Sequence, residues 1–128
     1  MLEKIRLLYI DLFCGAGGTT TGIEAAQLYG VKCAKVIACV NHDPKAIESH
    51  AANHPDTLHF TEDIRTFELN PLVEHLVKMK KLYPNSKTVL WASLECTQAE
   101  QKKFIGNAVE VHMSRALCEA LCERLYKL

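Results

Sequence analysis

Apolar runs and helical stretches alternate along this chain. Residues 4–11, Lys-Ile-Arg-Leu-Leu-Tyr-Ile-Asp, form a short run suited to a buried strand. A glycine-rich segment, Cys14 to Gly18, separates it from a helical stretch predicted from Thr19 to about Tyr29, with Gly30 as the C-cap. Residues 33–40, Cys-Ala-Lys-Val-Ile-Ala-Cys-Val, give a second apolar strand. Asp43-Pro44 then supplies an N-cap and a proline at the first helical position, and this helix runs to about Asn53, because His54 precedes Pro55. Thr57 to Phe60 is a third, short strand. Asn70-Pro71 opens a helix over 70–82 carrying Leu72, Val73, Leu76, Val77, Met79 and Leu82. Residues 87–93 form the fourth strand. Residues 108–127 form a last helix with Val109, Met113, Leu117, Ala120 and Leu121 on one stripe. Alternation of this kind predicts a mostly parallel sheet with right-handed crossovers, an α/β fold.

Composition narrows the class without naming a partner. The chain has 128 residues, enough for one domain with a real core and too few for two ordinary ones. Its apolar fraction of 48% excludes wholesale disorder. Fifteen basic and fifteen acidic side chains cancel, so the surplus of positive charge that a phosphate-gripping protein usually carries is missing. The second half is slightly more basic than the first, a tilt too weak to point anywhere. Six cysteines could make three bridges. The mixed-charge start Met1-Leu2-Glu3-Lys4-Ile5-Arg6 does not resemble a signal peptide, and no apolar stretch approaches the ~20 residues of a membrane span. The expectation is therefore a cytoplasmic protein with reduced thiols and no membrane partner. No Cys-x-x-Cys occurs, which argues against a zinc ribbon.

A glycine-rich turn after the first strand of such a sheet is where nucleotide-like ligands sit. Taken alone, the loop is equally compatible with a tight strand-to-helix connection. Thr20 occupies the third position of the dinucleotide fingerprint counted from Gly15 and Gly17, so that pattern fails, and no Gly-Lys-Ser/Thr follows for a P-loop. Asp11, at the end of the strand, suits a ligand with a cationic or donor group better than a pyrophosphate. Asp11-Leu12-Phe13-Cys14-Gly15-Ala16-Gly17-Gly18 followed by Gly22 resembles the first signature motif of DNA cytosine-5 methyltransferases. The resemblance implies binding of S-adenosylmethionine, with S-adenosylhomocysteine as product. It places the backbone near Phe13, Ala16 and Gly17 around the methionine part and Phe13 against the adenine.

Further segments extend this resemblance. Asn41-His42-Asp43 ends the second strand, where the family usually has Glu in place of Asn41. Asn41 can still bond a ribose hydroxyl through its amide oxygen. His42 matches a position lying against the adenine, and Asp43 reads better as the helix N-cap. His50 and His54, four apart, could share a metal, but a solvated helix face is the better reading. Glu62-Asp63-Ile64 resembles the third motif, in which Asp63 accepts from the adenine amino group and the Ile64 amide meets the ring. Without its neighbours this would read as an ordinary loop carboxylate. Cys96, in Ser93-Leu94-Glu95-Cys96-Thr97, stands where the family carries its nucleophile, usually between Pro and Gln. Its plain alternative is an inert loop thiol. Cys33 and Cys39 read as strand residues, Cys118 and Cys122 as helix packing, and Cys14 as a buried loop residue. Gly106-Asn107-Ala108-Val109 resembles the last motif, which folds back beside the first helix and brings Asn107 and Val109 near the methionine end.

Spacing departs from the family. Cys96 and Gly106 are ten positions apart, whereas a long stretch separates these motifs in the family, and no Glu-Asn-Val occurs. That stretch would hold the Glu that polarises cytosine, an Arg-containing motif and the target-recognition domain. Either the chain lacks its middle or the sequence joins two parts of a longer one, with residues 98–103 containing the junction, 1–97 the first half of the core and 104–128 the closing helix. The expectation is a truncated Rossmann-like S-adenosylmethionine-dependent methyltransferase core, bacterial or phage in type, that binds cofactor without turnover. DNA is the partner of the full-length family member. Apolar surface left by the missing middle would favour a homodimer. The rivals are a non-catalytic binding module and a methyltransferase of another substrate class.

Overall fold

The computed structural model describes residues 4–93 and 100–125, and only the backbone of 100–110 and Met113. A four-stranded sheet forms the centre. Its strands are β1 (Leu7–Leu12), β4 (Ala34–Asn41), β5 (Leu58–Thr61) and β6 (Lys87–Ala92), in the order β5-β4-β1-β6, and every pairing is parallel. β1 is flanked on both edges and β4 is almost wholly buried, which is why both read as continuous apolar runs rather than alternating ones. A register shift opposite Tyr9 and Ile10 interrupts the β1–β4 ladder.

Helices cover both faces. On one face α1 (Gly18–Ala25) and α4 (Glu100–Leu125), the latter through Cys118 and Cys122, pack over Leu7, Tyr9, Cys33 and Val36. On the other, α3 (Asn70–Leu82) buries Leu72 and Met79 against Leu8, Ile10 and Ile37, with Leu76 partly covered. These three lie on one helical stripe, while Val73 and Val77 of the same run face outward. α2 (Pro44–Asn53) begins as predicted: Asp43 accepts a hydrogen bond from Lys45 N at 3.0 Å, and Pro44 takes the first helical position. Among the described residues no helix is long and apolar enough to cross a membrane.

Two boundaries differ from the expectation. The first helix ends at Ala25, and Tyr29-Gly30 is the turn of a hairpin between β2 (Gln27–Leu28) and β3 (Val31–Lys32), so Gly30 is not a helix cap. Both turn residues have positive φ, 52° and 76°, as a two-residue hairpin loop of this hand requires. Long-range bonds favour the early ending. Gln27 N donates to Glu119 Oε2 at 2.7 Å, and Lys32 Nζ pairs with Glu24. The last helix starts at Glu100 rather than 108, so it runs through most of the expected junction. Glu100-Gln101-Lys102-Lys103 are all good helix formers.

The contact between α1 and α4 is unusually close. A Cβ on Gly22 would lie 2.0 Å from Ser114 Oγ and 2.2 Å from the Val111 carbonyl oxygen. Ser114 Oγ is 3.0 Å from the Thr19 carbonyl, tying the helices together at that point. The last helix therefore does lie beside the first, as expected.

Candidate functional site

The carboxyl ends of β1, β4 and β5 converge on a cavity of about 310 Å3. Phe13 reaches it from the end of β1, Asn41 and His42 from the end of β4, and Glu62 to Arg65 from the loop after β5. This is the crevice in which open α/β sheets bind ligands. Phe13 takes a positive φ of 57°, rare for a bulky side chain, as the chain turns out of the sheet. Local bonds fix the walls. Cys14 N donates to Val40 O, and Glu62 N to Asn41 O at 3.0 Å. Asn41 Oδ1 accepts from Asp43 N at 2.9 Å, so the amide oxygen expected to meet a hydroxyl also shapes the entry to α2.

Asp63 carries the clearest charge on this wall. Its carboxylate accepts from Arg65 N at 2.9 Å and from the guanidinium, with Nη2 2.6 Å from Oδ2. Arg65 holds the Asp63 carboxyl down to about 2, so the side chain is ionised at any ordinary pH. Arg65 lies just beyond the Glu62-Asp63-Ile64 segment that the resemblance covers. Its only sequence signal is its position two residues after Asp63.

The glycine loop lies beside this cavity. Gly15 has φ 55° and an open side, with nothing within 4 Å of where a Cβ would stand. Gly17, φ 111°, precedes the first turn of α1, and a Cβ there would meet the rings of His50 at 3.2 Å and His54 at 3.3 Å. Ala16 is exposed and Gly18 begins the helix. Asp11 and Cys14 are not on the cavity wall. Cys14 is buried, and Asp11 is fully buried and accepts from Thr20 Oγ1 at 2.7 Å. Thus Phe13, Asn41, His42, Asp63 and Ile64 are brought together. Asn107 and Val109 lie on α4, where only the backbone is described, and Cys96 lies outside the described residues.

The histidines overturn the expectation of a solvated helix face. His50 is fully buried, with Nε2 2.9 Å from Thr20 Oγ1 and Nδ1 2.8 Å from His59 Nε2. Burial holds its pKa down to about 4. Helical spacing carried the signal, because His50 is three residues from buried Ile47 and so shares its face. His54 Nε2 reaches Thr21 Oγ1 at 3.0 Å. The packing expectation for Cys118 and Cys122 holds, since both are fully buried together with Cys33.

Residues 7–79 match the family described as C-5 cytosine-specific DNA methylase, a segment running from β1 into α3 and including every wall of the cavity. The DNA (cytosine-5)-methyltransferase CMT2 of Oryza sativa subsp. japonica is 37% identical over 57 residues, which is 44% of this chain and 4% of that protein. A crystal structure of an E. coli prophage-encoded protein described as a DNA modification methyltransferase aligns over 82% of this chain and 27% of that one, with 24% identity and a TM-score of 0.49. The chain thus spans a small part of each of these relatives.

Proposed function

The chain belongs to the C-5 cytosine-specific DNA methylase family, and from that premise we propose that it is the S-adenosylmethionine-binding core of a DNA (cytosine-5)-methyltransferase. The observation that carries this reading is the meeting of Phe13, Asn41, His42, Asp63 and Ile64 around one cavity. Its volume of about 310 Å3 is at the small end for ligand pockets and suits a nucleoside rather than a whole cofactor. The donor set fits an adenosine. Phe13 and Ile64 offer apolar faces for the ring. The Asn41 amide nitrogen can donate to a ribose hydroxyl while its oxygen holds Asp43 N. Asp63, kept ionised by Arg65, accepts from an exocyclic amino group. The open side of Gly15 leaves room for the methionine end along the loop.

When bound, the cofactor supplies an electrophilic methyl group on a sulfonium. In this reading Cys96 is the nucleophile, on the segment that follows β6. Its thiolate would add to carbon 6 of a flipped-out cytosine and so make carbon 5 nucleophilic enough to accept the methyl group that the bound cofactor would supply, with S-adenosylhomocysteine as the leaving group; loss of the carbon 5 proton and of the thiolate would then restore the ring. The residues that would polarise the cytosine and read the DNA are not found between Cys96 and Gly106. The chain is therefore expected to bind cofactor without methylating DNA.

Titration calorimetry with S-adenosylhomocysteine tests the pocket. Saturable binding is expected, weakened about tenfold or more by Asp63→Ala, because a charged acceptor is worth ~1.5–3 kcal/mol. No heat from the parent chain rejects the assignment. Methylation of duplex DNA by the 128-residue protein would overturn the claim that the missing middle is required.

A further inference from the structure

We propose that Cys14, Cys39 and His50, with His59 as fourth ligand, form a buried thiolate–imidazole site for a divalent cation of the zinc class. The four residues come from four different parts of the fold: the loop after β1, the middle of β4, α2 and β5. The candidate ligand atoms of Cys14, Cys39 and His50 lie within 4.8 Å of one another, and all three residues are buried. Cys39 Sγ is 3.6 Å from His50 Nδ1. A tetrahedral zinc with Zn–S of ~2.3 Å and Zn–N of ~2.0–2.1 Å holds a sulfur and a nitrogen ~3.6 Å apart and two sulfurs ~3.8 Å apart. His59 Nε2, 2.8 Å from His50 Nδ1, lies outside the set of atoms within 4.8 Å of one another, so to ligate it must both open to ~3.3 Å from His50 Nδ1 and close on the sulfurs. His59 is only partly buried, on the short edge strand of the main sheet and register-paired with Cys39, where the side chain has room to shift.

The surrounding hydrogen bonds aim the imidazole. Thr20 Oγ1 donates its single proton to Asp11 Oδ2 at 2.7 Å. Its oxygen must then accept from His50 Nε2, 2.9 Å away, so the ring proton sits on Nε2. Nδ1 is left with its lone pair facing Cys39 and His59. A carboxylate-backed chain on the far nitrogen is how metal-binding histidines are oriented. Thiol protons leave as the cation binds. The site would pin α2 beneath the glycine loop, where Gly17 meets His50, without entering the cavity assigned to adenosine. It stands independently of the proposed function.

Cobalt(II) titration of the metal-free 128-residue chain decides the matter. One equivalent is expected to bind, with thiolate-to-cobalt charge transfer in the near ultraviolet and the intense visible bands of a tetrahedral ion, and zinc should displace it. Cys39→Ser should abolish these bands. Cys118→Ala, which breaks the separate buried trio of Cys33, Cys118 and Cys122, should leave them intact. Absence of tetrahedral bands, their persistence in Cys39→Ser or their loss in Cys118→Ala overturns the proposal. Should Cys39→Ser not fold, two further readouts serve. His59→Gln should weaken zinc at least ~10-fold. In the parent chain, zinc should shield Cys14 and Cys39 from alkylation, and equal labelling with and without zinc rejects the site.

Discussion

Gly22→Ala is expected to destabilise the protein by about 3 kcal/mol and to lower its melting temperature by roughly 10 °C. The added carbon would stand 2.0 Å from Ser114 Oγ and 2.2 Å from Val111 O. The serine hydroxyl could rotate away, at the cost of its bond to Thr19 O, worth ~1 kcal/mol. The Val111 carbonyl is backbone inside a helix and has no rotamer to change. Relief therefore requires α1 and α4 to move apart, and that loosens the packing of Cys118 and Cys122 over Tyr9 and Val36. Overpacking of this kind costs ~1–3 kcal/mol before the lost bond is added. Gly15→Ala is the control. Its site is open, so it pays only for a left-handed backbone at φ 55°, ~1–2 kcal/mol. Thermal unfolding followed by circular dichroism distinguishes the two. A Gly22→Ala melting point within about 2 °C of the parent would mean that the helices do not approach this closely.

This contact also shows where sequence reading succeeds and where it stops. A buried parallel sheet needs both faces of its strands apolar, so Leu7–Leu12 and Ala34–Asn41 announce themselves. Asp43-Pro44 announces α2 because a capping carboxylate and a missing N–H both belong at a helix start. The hairpin after α1 was hidden. Its turn is Tyr29-Gly30, not one of the Asn-Gly or Asp-Gly pairs that signal such turns, and the bonds that favour it come from distant Glu119 and from Glu24. His50 was hidden by its chemical type. Its spacing from Ile47 places it inside, but a histidine reads as polar until its partners Thr20 and His59 are known, and these lie 30 and 9 residues away. The family was legible in the glycine loop and its companions, and the match over residues 7–79 bears it out. The cavity itself was less so. The family-like segments hold six of its residues, while Arg65, which sets the charge state of Asp63, lies just outside them.

Acidification of the metal-free protein from pH 7 to pH 4 is expected to remove about 3 kcal/mol of stability through His50 alone. The sign follows from where the proton binds first. Unfolded, His50 titrates near its ordinary 6.5, and folded it titrates near 4. Above pH 6.5 the ring is neutral in both states, so stability is independent of pH. Between 6.5 and 4 the unfolded chain takes up the proton and the folded chain does not, so stability falls as pH falls. Below 4 both forms are charged and this loss levels off. Each factor of ten in proton affinity is ~1.4 kcal/mol, and His50 is fully buried, so solvent does not screen the difference away. His54 and His59 are also held below their ordinary value by burial and steepen the same slope. Asp63 acts in a different window. Its carboxyl is lowered from 3.8 to about 2, so whatever stability its pairing with Arg65 contributes is present above pH 4 and lost below it. Urea unfolding at a series of pH values, with chelator present, separates the two. His50→Gln should flatten the limb between pH 6.5 and 4 while leaving the more acidic limb unchanged. A parent protein whose unfolding free energy stays level across that limb does not keep a neutral, buried imidazole between Thr20 and His59.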